Sequence, residues 1–428
     1  MSIFATALRI STNRIFSCPA NYDPSIMSTV SKWPDIRPLH LSIFELHTEE
    51  ESVLTLFHLF KLSGFKVSAC LSEKIWNLIK ADISLANEDN ILVFNSSDSV
   101  PSIYVKLKTF LVSEKTDLLV VPRFSAQSFK ETRLMINLLK KFPVCVGVYN
   151  YSKWFSKIPP LMFNGWKILK RSAIVEWAYS QMIIRHIPLF FISDPHRNSN
   201  NPMKNLLRNK TQKEVLDLPF KVSRSIYSPP FDFTEPVFCI PGVIEKHRRD
   251  YRSIISFFSR KSLQEKKWKL ILLGRPKGAY GKKILHQADS INKKVGEERI
   301  VFRNRYVEKD EFDHLISCST HILAPLVEKT YRYGKDSGAI YDVFKYNKIG
   351  IFPNSYFYDE GVIENKAVIT YTTMKELGCV LEKIIDRTFD YARVMEGCAK
   401  VADYFHQDKY VEHIKTQINN YFVSLAAL

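Results

Sequence analysis

Apolar residues in this chain gather in short runs, and between the runs they recur every three or four positions. The first run, LHLSIFEL (39–46), predicts a strand. The stretch after it, TEEESVLTLFHLFKLSG, predicts a helix. Thr48 with Glu51 makes a capping box, Val53, Leu56, Phe57 and Phe60 form one stripe, and Gly64 ends it. KVSACLS (66–72), NILVFN (90–95), TDLLVVPR (116–123) and VCVGVY (144–149) predict further strands, with helix-like stretches such as 126–141 between them. Short apolar strands alternating with helices imply a parallel sheet covered on both faces.

Residues 150–235 break this rhythm. They hold LMFNGWKILKRSAIVEWAYSQMIIRH, a strand-like LFFISD (189–194) and a polar stretch, and they end in the proline-rich YSPPFDFTEP (227–236). An interdomain linker is expected there. The alternation then resumes with PVFCIPG (236–242), WKLILLG (268–274), RIVFRN (299–304), THILAPL (320–326) and KIGIFPN (348–354) as strands. Helix stripes fall at Tyr251, Ile254, Ile255 and Phe258, and at Ile284, Leu285, Ala288, Ile291 and Val295, and the chain is helical from about 373. The expected division is a peripheral extension (1–35), an N-terminal Rossmann-like domain (36–225), a C-terminal one (236–405) and a last helix (406–428). The fold class is α/β.

Length agrees with two domains, since 428 residues exceed one ordinary core. A net charge of +17 favours anionic partners: phosphorylated ligands, acidic membrane surfaces or nucleic acid. The seven cysteines are dispersed and form no CxxC pair, which excludes a disulfide frame and a zinc site and fits a cytoplasmic protein. No metal-ligand spacing appears among the histidines, and no apolar run is long enough to span a bilayer. The opening MSIFATALRISTNRIFSC carries Arg9 and Arg14 with no acid before Asp23. It reads either as a targeting leader or as an extension ahead of a second start at Met27.

Eleven of the fourteen glycines follow residue 240, several directly after strands, so the second half is the one shaped around a ligand. Three of its loops mix glycine with cations. GVIEKHRRDYR follows the first strand, and its Arg248 and Arg249 are expected at a helix N-terminus, with Arg248 and Arg252 sharing a face. GRPKGAYGKK follows the second, with Gly274, Arg275 and Lys277. VEKTYRYGKDSGAIYD follows the fourth, where Asp336 or Ser337 should cap a helix whose free amides face a phosphate oxygen. Cations held in separate glycine loops suit a nucleoside diphosphate better than a nucleic acid, which calls for aromatic platforms along one basic face.

These loops carry a resemblance. IPGVIEKHRRDY, IVFRNRYVEKDEFDHLISCSTHILAPL and SGAIYDVFKYNKIGIFP are similar to the donor domain of GT-B glycosyltransferases over about 235–405, and closest there to the retaining branch. The first half resembles the family in architecture alone. The resemblance implies two Rossmann-like domains facing across a cleft, with the last helix returning to the first domain. It also implies a metal-independent hexosyl transfer from a nucleotide-sugar donor, with no further cofactor. Gly242, Arg248, Arg249, Gly274, Arg275, Lys277, Tyr306, Ser337, Gly338 and Asp342 would contact the donor. Where many retaining relatives carry two glutamates eight apart, this chain has Gly334 and Asp342, and Asn347-Lys348-Ile349 replaces the usual G-x-P.

For the base that deprotonates the acceptor, His47 stands just past the first strand. The acceptor is expected to be a glycan, a lipid-linked compound or a small molecule, as in polysaccharide or glycoconjugate synthesis. Residues 157–185, with Trp166, Trp177 and several cations, suit a surface lying on anionic lipid, which would make the protein peripheral to a membrane. Two other readings stay open in the sequence: a GT-B protein that has lost catalysis and serves as a binding or scaffold subunit, and a basic nucleic-acid-binding protein.

Overall fold

The computed structural model describes residues 38–46, 50–80, 90–122, 142–148, 189–192, 216–218, 233–327, 337–356 and 360–426, together with Arg133, Ile136 and Asn137. Residues 1–35, 157–185 and most of the helix-like 126–141 and linker 227–236 lie outside the described residues, as do His47, Thr48, Gly334 and Asp336. Pro38–Ile418 forms one compact unit.

Two parallel sheets account for every strand among the described residues. The first holds β1 (His40–Glu45), β2 (Lys66–Ser72), β3 (Ile91–Phe94), β4 (Leu118–Val121), β5 (Val144–Val148), β6 (Leu189–Ile192) and β7 (Leu216–Leu218), in the order β3-β2-β1-β4-β5-β6-β7. The second holds β8 (Val237–Pro241), β9 (Lys269–Leu273), β10 (Ile300–Phe302), β11 (His321–Leu323), β12 (Ile349–Pro353) and β13 (Ile369–Tyr371), in the order β10-β9-β8-β11-β12-β13. Leu189–Ile192 therefore belongs to the first sheet as β6, and that sheet continues into the stretch that reads as a break. Each order reverses beside its first strand, between β1 and β4 and between β8 and β11. At such a reversal the connections leave in opposite directions and open a crevice at the carboxyl ends of the strands.

The described α-helices are α1 (Glu50–Leu62), α2 (Glu73–Ile79), α3 (Val100–Ser113), α4 (Tyr251–Phe258), α5 (Gly278–Val295), α6 (Lys309–Ser317), α7 (Gly338–Lys345), α8 (Glu360–Glu364), α9 (Met374–Ile385), α10 (Ala392–Ala402) and α11 (Gln407–Ala426). The expected stripe of α1 is buried throughout, and acids at its start with Lys61 at its end suit the helix dipole. At about 1.5–3 kcal/mol for each large side chain removed from water, that stripe fixes α1 to its sheet. β1 is buried along its length yet carries His40, Ser42 and Glu45. Ser42 Oγ lies 2.6 Å from Ser68 Oγ and 2.7 Å from Thr116 Oγ1, and His40 Nδ1 lies 2.6 Å from the Glu114 carbonyl oxygen. Buried polar atoms need such partners, and here neighbouring strands and loops supply them.

Candidate functional site

The second sheet's crevice is framed by main chain. β8 ends at Pro241 and turns at Gly242, whose φ of +100° disfavours any side chain. The Gly242 amide donates to the Leu273 carbonyl at 2.7 Å. A Cβ on Gly274 would lie 2.1 Å from the Gly242 oxygen, so the loops after β8 and β9 meet backbone on backbone. Pairing then continues past the strands. Ile244 N donates to Arg275 O at 3.0 Å, and Lys277 N donates to Ile244 O at 3.1 Å. The loop after β8 is also stitched to the segment after β11: Asp250 N donates to Pro325 O at 2.8 Å, Val327 N donates to Arg248 O at 3.1 Å, and Arg249 bridges Leu326.

This pairing corrects the expected helix start. Residues 243–250 are used in loop pairing, so α4 begins at Tyr251 and Asp250 caps it, accepting from Ser253 N at 3.2 Å. Arg248 and Arg249 therefore precede the helix, and Arg248 shares no helix face with Arg252. The Tyr251 hydroxyl reaches back to donate to the Gly242 carbonyl at 3.1 Å.

Arg249 is the group the sequence could not single out. It is 3% exposed, and a Cβ at Gly242 would lie 3.0 Å from its Nη1, so the guanidinium lies along the glycine turn. Among the described residues, neither its Nε nor its Nη1 has a hydrogen-bond partner. The other cations differ. Lys277 Nζ donates to Glu245 Oε1 at 2.8 Å, a bond that holds the Glu245 carboxyl below the usual carboxylate range, and Arg275 is exposed. Arg248 is partly buried.

Across the crevice, Ser337 caps α7 and its Oγ accepts from Ala339 N at 3.4 Å. The Ser337 amide donates to the Tyr356 hydroxyl at 2.8 Å, a contact with no periodic signal in the sequence to announce it. Ser337 is 2% exposed and Gly338 is partly exposed, so the first amides of α7 stand at the rim. Asp342, one turn on, is buried. The Cys239 thiol in β8 is pushed well up, by burial first and then by the Asp342 carboxylate, with Lys348 and Arg249 opposing. Tyr306 follows β10 in a loop braced by Arg303 and Arg305, which bond Glu311 at 2.5 and 2.7 Å. Its ring is 48% exposed. Its hydroxyl is shifted up by partial burial and then by the Glu50 carboxylate at the start of α1. Among the described residues, no three His, Cys, Asp or Glu side chains are placed to share a metal ion, and no helix is long and apolar enough to cross a membrane.

No protein-family model and no curated protein sequence matches this chain. Solved structures do. Sucrose-phosphate synthase from Thermosynechococcus elongatus is 10% identical, with a TM-score of 0.59 over 90% of this chain and 100% of that one. A glycosyltransferase from Rickettsia africae is 10% identical, with a TM-score of 0.55 over 90% of this chain and 100% of its own. HepE of Anabaena, crystallised with UDP-glucose, is 12% identical, with a TM-score of 0.55 over 91% of this chain and 100% of its own. With two parallel sheets of doubly wound order and these likenesses in structure, the chain has the GT-B glycosyltransferase fold, built of two parallel-sheet α/β domains.

Proposed function

We infer that the chain binds a nucleoside-diphosphate sugar in the crevice of the second sheet and moves the sugar to a hydroxyl acceptor held by the first. Arg249 carries this reading. A guanidinium taken out of water with donors unmet is costly, and the cost is offset when an anion arrives. Its planar fork suits phosphate oxygens, and the Gly338 amide at the start of α7 would offer a further donor. Positive groups fixed in this way would stabilise the diphosphate as it leaves. The structural neighbour crystallised with UDP-glucose supports a nucleotide sugar as donor. Gly242 and Gly274 would let the phosphates approach the main chain, Arg248 and Arg275 would add charge at the rim, and the exposed Tyr306 ring would meet the base. Asp342 would reach the ribose only with a local opening, because it is buried. The turn after β1 is the natural place for the acceptor's base, and His47 remains the candidate within it.

Calorimetry with UDP, GDP, ADP and their sugars tests the reading. Arg249→Met should weaken the preferred nucleotide by about 1.5–3 kcal/mol, the scale of charge-assisted hydrogen bonds. The same change should leave the empty protein as stable as before or more so, because it removes a buried charge without an anion. Lower stability with unchanged affinity would make Arg249 a structural residue and take the central support from the proposal. A protein that binds the nucleotide sugar but neither hydrolyses nor transfers it would be a scaffold of the same fold.

A further inference from the structure

α1 is touched at its start by an element of the second sheet and at its end by the last helix. At its first turn, Glu51 Oε2 lies 3.9 Å from Lys345 Nζ, in the last turn of α7, with both side chains about a quarter exposed. Burial first raises the Tyr346 hydroxyl, which bonds Asp313 at 2.5 Å, and the Tyr306 hydroxyl, and the Glu51 carboxylate adds a small part to each. At the far end, Ser63 Oγ donates to the Val411 carbonyl of α11 at 3.3 Å. The buried stripe of α1 makes it rigid with its own sheet, so a pull on either end moves the first domain as a body.

α7 is the other half of the arrangement. Its N-terminus lies at the crevice, where Ser337 and Gly338 stand. Its C-terminus is a single short helix away, about 12 Å at 1.5 Å per residue, and carries Lys345. The charges suit the ends that bear them: acids at the positive start of α1, a lysine at the negative end of α7. We propose that Lys345 is a positioning residue. Through Glu51 it seats the start of α1 against the second domain, and α7 links that seating to anion occupancy at its own N-terminus. The link to occupancy rests on the proposed nucleotide site. The ion pair does not.

The test uses the full chain with UDP as probe, reading hydrogen exchange over the first two turns of α1 alongside UDP affinity. In the wild type, UDP should slow exchange in α1 although the helix belongs to the other domain. Lys345→Glu and Glu51→Lys should each remove that response and weaken UDP about two- to fivefold, the range of a weak ion pair. The combined exchange of both charges should recover both readouts, and Lys345→Arg should keep them. A contact that merely stabilises α1 would not transmit UDP binding or be rescued by the swap, and either failure overturns the proposal. If UDP, GDP and ADP all fail to bind, the nucleotide reading falls by itself. The pair is then judged by salt: about 1 M ionic strength, where screening acts within about 3 Å, should speed exchange in α1 of the wild type but not of Glu51→Gln with Lys345→Gln. Equal salt response in both would overturn it.

Discussion

Adding a Cβ at position 274 would place it 2.1 Å from the Gly242 oxygen and 3.0 Å from the Val243 nitrogen, and both obstacles are backbone. Gly274→Ala should therefore cost about 2–3 kcal/mol, the range of a forced overpacking, in a urea titration. Gly278 is the control: its φ is +62° but nothing lies within 4 Å of the added carbon, so Gly278→Ala should cost only about 1 kcal/mol. Equal costs would mean that the two loops are not pressed together. At this scale the sequence was partly readable. Glycines directly after strands were read as room for a ligand; in the structure Gly274 packs on the Gly242 backbone and Gly242 on the Arg249 side chain. Arg249 could not be told from Arg248, because which of two adjacent arginines turns inward depends on pairing with Leu326, nearly eighty residues away in the chain.

The elements divide along similar lines. Long periodic stretches were legible, and the stripes of α1 and α4 are buried as their spacing predicts. β7 (LDL) and β13 (ITY) were missed because a polar residue in the middle of each breaks the apolar run that marked the equally short β10 and β11. The start of α4 was misplaced for another reason. Arg248 and Arg249 were expected at the helix N-terminus, but Ile244 finds strand-like partners in Arg275 and Lys277, and this distant pairing keeps residues before Tyr251 out of the helix. Asp250 then marks the true start, its carboxylate accepting from Ser253 N and Oγ. Asp250→Ala should cost about 1 kcal/mol of stability. Calorimetric melting would show it, and a change within error would mean that α4 is held by its buried face alone.

For the molecule as a whole, acid should be more damaging than the surface charges alone would suggest. His321 is fully buried at the start of β11 among Phe233, Phe238 and Tyr391, with Nδ1 2.7 Å from Thr320 Oγ1 and Nε2 3.0 Å from Tyr391 Oη. Burial pushes its imidazole down to about 3. In the unfolded chain it titrates near 6.5, so the unfolded state takes the proton first as pH falls. The stability this residue confers is full above about 6.5 and drains as pH drops toward 3. Urea midpoints across that window should decline more steeply for the wild type than for His321→Phe; parallel declines would place the acid sensitivity elsewhere.

The bonds that stitch the loop after β8 to the segment after β11 run between amide and carbonyl groups, which residues other than proline supply alike. A crevice framed in this way keeps its outline while the side chains around it are exchanged. Mutation can then replace nearly every letter of the text without erasing the shape it encodes. Likeness of fold can stand in coordinates where alignments show little, and here one residue in ten is shared over nine-tenths of the chain while the course of the backbone still superposes.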